Sequence, residues 1–166
     1  VQSFLLQTSI LNRLSAPLCD AVTGRSDGQI MLKQIEHGNL FLIPLDDERF
    51  WYRYHHLFGD MLRRQLRQSN PDLVADLHRR ASQWFEQNDW VTEALEHALL
   101  SQDTHEAARL VQQTVEEITL AGQAYTILRW MNTLPEAVVR THPRLCVYHG
   151  TVLMFTYQLE AAETWL

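Results

Sequence analysis

The sequence predicts a mainly α fold: a winged-helix domain with one small β-hairpin, followed by α–α helical repeats of tetratricopeptide-like character. Three observations carry this. Apolar residues recur at helical spacing over most of the 166 residues. The helical period breaks once, between Leu40 and Tyr54, where two short strand-like runs flank the acidic Asp46-Asp47-Glu48. Beyond Asn70 only helices follow, in pairs joined by short loops.

The elements follow in order. Phe4, Leu5, Ile10, Leu11 and Leu14 suggest a short helix broken near Thr8-Ser9. Ser15 is placed as N-cap of a second helix, with Pro17 in its first turn and Gly24 as its stop. Ser26 and Gln29 have capping-box spacing and open a third helix, with Ile30, Leu32 and Ile35 inward and Gly38 at its end. Leu40 to Ile43 reads as a strand, which Pro44 and the acidic turn terminate. Phe50, Tyr52 and Tyr54 alternate with Trp51, Arg53 and His55, the second strand of a wing. After His55 the period is helical again, and Leu57, Phe58, Met61, Leu62 and Leu66 form the expected apolar stripe.

Asn70-Pro71-Asp72 starts the next helix by cap, by proline and by an acid in the first turn. Its inward face is Leu73, Leu77, Ala81, Trp84 and Phe85. Ala94, Leu95 and Ala98 follow on a helix with small residues for a close crossing. Asp103 and Glu106 form a capping box for the run that Gly122 closes. Leu128, Met131 and Leu134 then point inward, His142-Pro143 breaks the chain, and Leu145, Val147, Leu153 and Met154 line a further long helix. Leu159, Ala162 and Trp165 begin another. The spacing from Ala81 to Glu93-Ala94-Leu95, and Gly150 with the run after it, has the look of a degenerate tetratricopeptide repeat.

Composition narrows the function classes. The hydrophobic fraction is 46%, enough for a core. The formal charge is −6, and all of it falls in residues 67–166, because residues 1–66 balance seven basic against seven acidic side chains. Nucleic-acid footprints are basic, and the helix in the recognition position offers only Gln29, Lys33 and Gln34, beside Asp27 and Glu36. The wing is therefore expected to be structural or regulatory rather than a DNA reader. No apolar run approaches the ~18 residues of a membrane span, and no signal peptide is visible. Cys19 and Cys146 are too few for a disulfide scaffold. A cytoplasmic location, without membrane contact, is expected. The chain lacks an initiator Met and ends on an amphipathic run without a stop, so an internal segment of a longer protein is expected.

Four stretches carry a family likeness: FLLQTSILNRLSAPLCDAVTG, NLFLIPLDDERFWYRYHHLFGDMLRRQLR, LHRRASQWFEQNDWVTEALEHAL and LRWMNTLPEAVVRTHPRL. In this order they resemble the middle of MalT-like, ATP-dependent transcriptional regulators with a LuxR-type DNA-binding domain, of the signal-transduction ATPase class. The resemblance implies a winged helix at about 1–68, a helical arm at about 69–143 and the start of a tetratricopeptide-like sensor at about 144–166. It implies that ATP or ADP binds the full-length protein through a domain not seen here, since no GxxxxGK[ST] occurs in this sequence. The implied partners are the chain's own nucleotide-binding domain and sensor repeats, a further copy of the protein, and a small-molecule or protein effector. DNA would be met only through a separate C-terminal domain.

One site residue follows from the likeness. Related ATPases hold ADP with a winged-helix histidine in a Met-His-Asp-Leu motif, and Tyr54, His55, His56 and Leu57 stand at the matching positions. His55 is the implied nucleotide contact; its plainer role is to satisfy the junction between hairpin and helix. No catalytic constellation is present, so the segment is expected to be non-catalytic. His55, His56 and Asp60 lack a third ligand at zinc spacing, and Cys19 and Cys146 sit in apolar helices without a placed base. His78 between its helix neighbours and Arg79-Arg80 reads as part of a solvated basic face, or as a docking surface. His97 reads as a packing residue. Trp51, Trp84, Trp90, Trp130 and Trp165 fit core packing or interface anchoring. The alternative to a regulator segment is a stand-alone helical-repeat interaction module with an inert winged helix.

Overall fold

A computed structural model describes residues 1–165, which form two compact units, Val1–Asp89 and Trp90 onward. The fold is mainly α, as the periodicity predicts.

In the first unit α1 (Gln2–Thr8) ends at the expected break, because Thr8 and Ser9 turn their hydroxyls back onto the carbonyls of Phe4 and Leu6. Helix α2 (Ala16–Thr23) starts after Ser15 and stops at Gly24, which takes the left-handed conformation at φ +69°. Ser15 occupies the cap position, but its hydroxyl makes no capping bond. The capping box expected at Ser26 does not form. Asp27 is the residue before α3 (Gly28–His37), and the fastening comes from elsewhere: Gly28 N donates to Asp20 Oδ1 at 2.7 Å. A Cβ at Gly28 would lie 2.7 Å from the Ala16 carbonyl oxygen, so only glycine allows α2 and α3 to approach this closely. Met31, Leu32 and Ile35 are inward, whereas Ile30 faces out.

The wing comprises β1 (Leu42–Pro44) and β2 (Tyr52–Tyr54), antiparallel with Leu42 opposite Tyr54 and Pro44 opposite Tyr52. Pro44 is tolerated because it closes the strand. Asp46 holds the tip, its two carboxylate oxygens accepting from Phe50 N and Trp51 N at 2.8 and 2.7 Å. On its other side β2 pairs with Leu14, which exchanges both backbone hydrogen bonds with Tyr52 at 2.7 and 2.8 Å. Tyr52 and Tyr54 are buried, and Arg53 between them is exposed, as strand alternation requires. Tyr54 Oη lies 2.7 Å from Thr8 Oγ1. Thr8 already donates its one proton to the Phe4 carbonyl, so Tyr54 is the donor.

Helix α4 (His56–Ser69) buries Gly59, Leu62 and Leu66. Each such leucine contributes roughly 2 kcal/mol of burial. Leu57 and Met61, expected in this stripe, are instead 67% and 52% exposed. The buried face is narrower than the apolar pattern, because the neighbours cover only one side of the helix. Arg63 straps α4 to the end of α1 through Ser9 O at 2.8 Å and also binds Asp60. Helix α5 (Pro71–Gln87) packs on α2 and buries Leu77, Ala81 and Phe85, and Arg80 reaches the Val22 carbonyl at 3.2 Å. His78, expected on a solvated face, is only 7% exposed. The cause is helical position: His78 stands three and four residues before Ala81 and Ser82, both buried.

The second unit is helical throughout its described residues. Helices α6 (Val91–Leu100) and α7 (Thr104–Leu120) cross on Ala94, Ala98, Ala107 and Ala108, all buried. Asp103 caps α7 as predicted, accepting from Glu106 N at 3.1 Å. Helix α8 (Ala124–Thr133) buries Ile127, Trp130 and Met131, with Leu134 just beyond; Leu128 is only half-buried. Short α9 (Glu136–Arg140) leads into α10 (Pro143–Phe155), which packs on α8 and on α11 (Leu159–Glu163). Leu145 and Leu153 are buried, but Val147 and Met154, expected inward, are exposed. No described helix is long and apolar enough to cross a membrane.

Two predictions follow from this packing. Tyr54→Phe removes a buried donor from Thr8 and costs about 1–2 kcal/mol in chemical denaturation, without shifting the far-UV spectrum. Burial, aided by the Arg67 charge, pulls the His78 pKa down to about 4, so the unfolded chain takes up a proton near pH 6.5 that the folded chain refuses. Stability is therefore complete above that pH and falls as pH drops toward 4, by up to about 3 kcal/mol from this group. Comparing denaturation at pH 7 and pH 5, the loss is smaller in His78→Gln than in the parent chain.

Candidate functional site

The site is the junction where the wing becomes α4. His55 is the last residue before the helix, with φ −54° and ψ 136°. Its backbone carries the junction: its N–H donates to the Phe41 carbonyl at 2.7 Å, and its carbonyl accepts from Gly59 N at 2.9 Å. The plainer role expected of His55 thus falls to its main chain. Its imidazole is half-buried, lies against His56 with ring centroids 4.4 Å apart, and is 6.3 Å from the Phe41 ring. Neither ring nitrogen is hydrogen-bonded among the described residues. Gly59 is the first amide of α4 with a helical acceptor, so the N–H groups of the first turn stay open. An unengaged imidazole next to open amides can donate to an anionic oxygen.

Phe41 is the component that sequence reasoning missed. It has φ +53°, a left-handed backbone that an aromatic residue adopts at a cost of about 1 kcal/mol or more, and it is 60% exposed. Its ring packs on Phe58 at 5.4 Å, and Phe58 packs edge-on to Tyr54 at 5.8 Å. Phe41, His55, His56, Leu57 and Met61 thereby belong to one exposed aromatic and apolar stretch on the wing and the outer face of α4. Sequence reasoning placed Phe41 inside the apolar run Leu40 to Ile43, as a strand residue, and nothing in that run signals its left-handed backbone.

Further along α4, Arg64 and Arg67 are exposed and line, with Asp60, Arg63 and Gln68, a groove of about 390 Å³. This makes α4 locally positive in a chain of charge −6. The face of α3 that a DNA reader would use carries Gln29, Ile30, Lys33, Gln34 and His37, all exposed. One lysine and an isoleucine make a poor phosphate or base-edge contact.

The remaining candidates separate from this site. Cys19 is fully buried, and burial beside Asp20 drives its thiol pKa up, away from reactivity. Cys146 is half-buried and donates to the Val139 carbonyl. His97 is buried on α6. Trp130 is a core residue, whereas Trp51, Trp84, Trp90 and Trp165 are half-buried. Among the described residues no three His, Cys, Asp or Glu side chains converge as a metal site.

Known proteins share this segment. Residues 1–74 match the family described as the MalT winged helix domain. The chain is 37% identical over 145 residues to the serine/threonine-protein kinase PknK of Mycobacterium tuberculosis, covering 87% of the chain and 13% of that protein. It is 31% identical over 144 residues to the HTH-type transcriptional regulator MalT of Vibrio cholerae, covering 87% and 16%. With MalT of Klebsiella pneumoniae it shares 29% identity over 171 residues, 99% of the chain and 18% of the relative. The chain thus spans less than a fifth of the length of these relatives. Residues 1–74 are thus a MalT winged helix domain, and the chain as a whole is a MalT-like segment.

Proposed function

We propose that the chain is the non-catalytic central segment of an ATP-dependent, LuxR-family transcriptional regulator, and that it couples nucleotide state and effector sensing to DNA binding and self-association. The observation that carries this is the pair of relatives. One is named a kinase and the other an HTH-type regulator, yet each resembles this chain over 87% of its residues and through only a small part of its own length. A segment shared by proteins with different outputs fits a transmitting role better than a catalytic or DNA-reading one. The domain scheme is then winged helix at 1–68, arm at 69–143 and the opening of a tetratricopeptide-like sensor at 144–166. The seating of α5 on α2 couples the first arm helix to the winged helix.

In this reading ATP or ADP binds the full-length protein in a separate domain, and His55 touches its phosphates. The open imidazole, the free amides at the start of α4 and the exposed Phe41 support that assignment. The same exposed stretch would face the nucleotide domain, and DNA would be met by a separate C-terminal domain. The protein would work in the cytoplasm.

The test uses the full-length protein loaded with ADP. Because the His55 side chain makes no hydrogen bond here, His55→Ala leaves thermal stability nearly unchanged, while ADP retention weakens about tenfold, equivalent to about 1.4 kcal/mol. His56→Ala, whose ring is exposed, retains ADP normally. Unchanged retention in His55→Ala refutes the assignment.

A further inference from the structure

The second unit holds a cavity of about 310 Å³ framed by α8, α9, α10 and α11. Its walls include the aliphatic side chains of Leu134, Val139 and Leu153, with Asn132 and Gln158 exposed at its edge. The volume lies at the lower end of the range for small-molecule sites and would hold roughly ten waters.

His149 of α10 lines this cavity and is only 5% exposed. Its Nδ1 is enclosed with no hydrogen-bond partner, while Nε2 is not enclosed and has no partner among the described residues. Enclosed polar groups are nearly always paired, so this imidazole is unusual in having no protein partner at either nitrogen. An orphaned N–H is rarer than an orphaned lone pair. The enclosed Nδ1 is therefore assigned the lone pair, and Nε2 carries the proton toward a ligand.

The wall beside His149 is built. Trp165 packs on the imidazole with centroids 4.4 Å apart, and the Arg140 guanidinium lies 4.6 Å from the Trp165 ring centre. Arg140 also binds Glu136 at 2.7 Å and reaches the Thr164 carbonyl at 3.4 Å. These contacts tie α9 to the segment after α11. Glu136 is paired with Arg140, and no other Asp, Glu, Lys or Arg side chain lines the cavity among the described residues. Burial pulls the His149 pKa down, so its ring is neutral.

We propose that this cavity binds a small uncharged molecule with a hydroxyl or carbonyl oxygen on an apolar body, the oxygen accepting a hydrogen bond from His149. As an effector pocket it would rest on the sensor reading given above. The binding itself does not, since it involves neither nucleotide nor His55.

The experiment titrates the 166-residue chain with benzyl alcohol and reads the ring nitrogens of its histidines by long-range 1H–15N NMR. Benzoate and benzylamine serve as charged probes of the same size. Benzyl alcohol moves the His149 resonances saturably and leaves the other histidines in place, and both charged probes bind at least tenfold more weakly. Ala161→Trp, at an exposed position on the cavity rim, abolishes the shift without unfolding the chain. In His149→Phe, followed by perturbation of the Leu153 methyl signals, affinity falls at least fivefold. No saturable shift with benzyl alcohol, equal binding of the charged probes, or full binding by Ala161→Trp overturns the proposal. Any of these leaves the His55 assignment standing, because that is read by ADP retention.

Discussion

The pairing of Leu14 with Tyr52 is the constraint on which the first unit depends. Two backbone hydrogen bonds place β2 between a single extended residue and β1, so that the inner strand of the wing is bonded on both sides. A two-stranded ribbon alone is marginal in water. Here strand alternation sends Tyr52 and Tyr54 into the core, where Tyr54 meets Thr8 at the end of α1. The chain leaves β2 directly into His55 and α4, and Arg63 ties that helix back to Ser9. The placement of the His55 backbone thus depends on contacts made by residues 8, 9, 14, 52 and 54.

The same geometry explains why a winged fold here need not read DNA. Wing tips that approach a phosphate backbone carry cations. This tip carries Asp46, whose carboxylate is used inside the turn, while Asp47 and Glu48 remain exposed. Arg49 pairs with Glu36 of α3 at 3.1 Å. What the wing does expose is Phe41 in a strained backbone, followed by Leu57 and Met61 on α4. Exposed apolar side chains beside a strained residue suit a protein contact better than a nucleic-acid one.

Much of this was legible in the sequence, for local reasons. Pro17, Gly24, Pro71 and the Asp103–Glu106 pair are punctuation whose meaning depends on few neighbours, and helices begin and end where they stand. The change from period two to period 3.6 at His55 placed the start of α4 to within a residue, whereas each strand begins two residues later than expected. The failures have non-local causes. Leu14 makes a one-residue bridge, which has no period to detect. His78 was read by its neighbours Arg79 and Arg80, although its own helical position puts it with Leu77, Ala81 and Ser82. Leu57 and Met61 continue an apolar stripe that the core is too narrow to cover. The backbone of Phe41 leaves no mark in composition, and the unpartnered His149 depends on the packing of four helices.

The wing is a fixed part of the first unit rather than a free flap, and amide hydrogen exchange reads the difference. The N–H groups of Leu14 and Tyr52 are expected to exchange only through global opening, with the same free energy as core amides such as Leu32 and Ile35. Exchange at Leu14 and Tyr52 within about tenfold of the rate expected for an unprotected amide, while Leu32 and Ile35 stay protected, would contradict it.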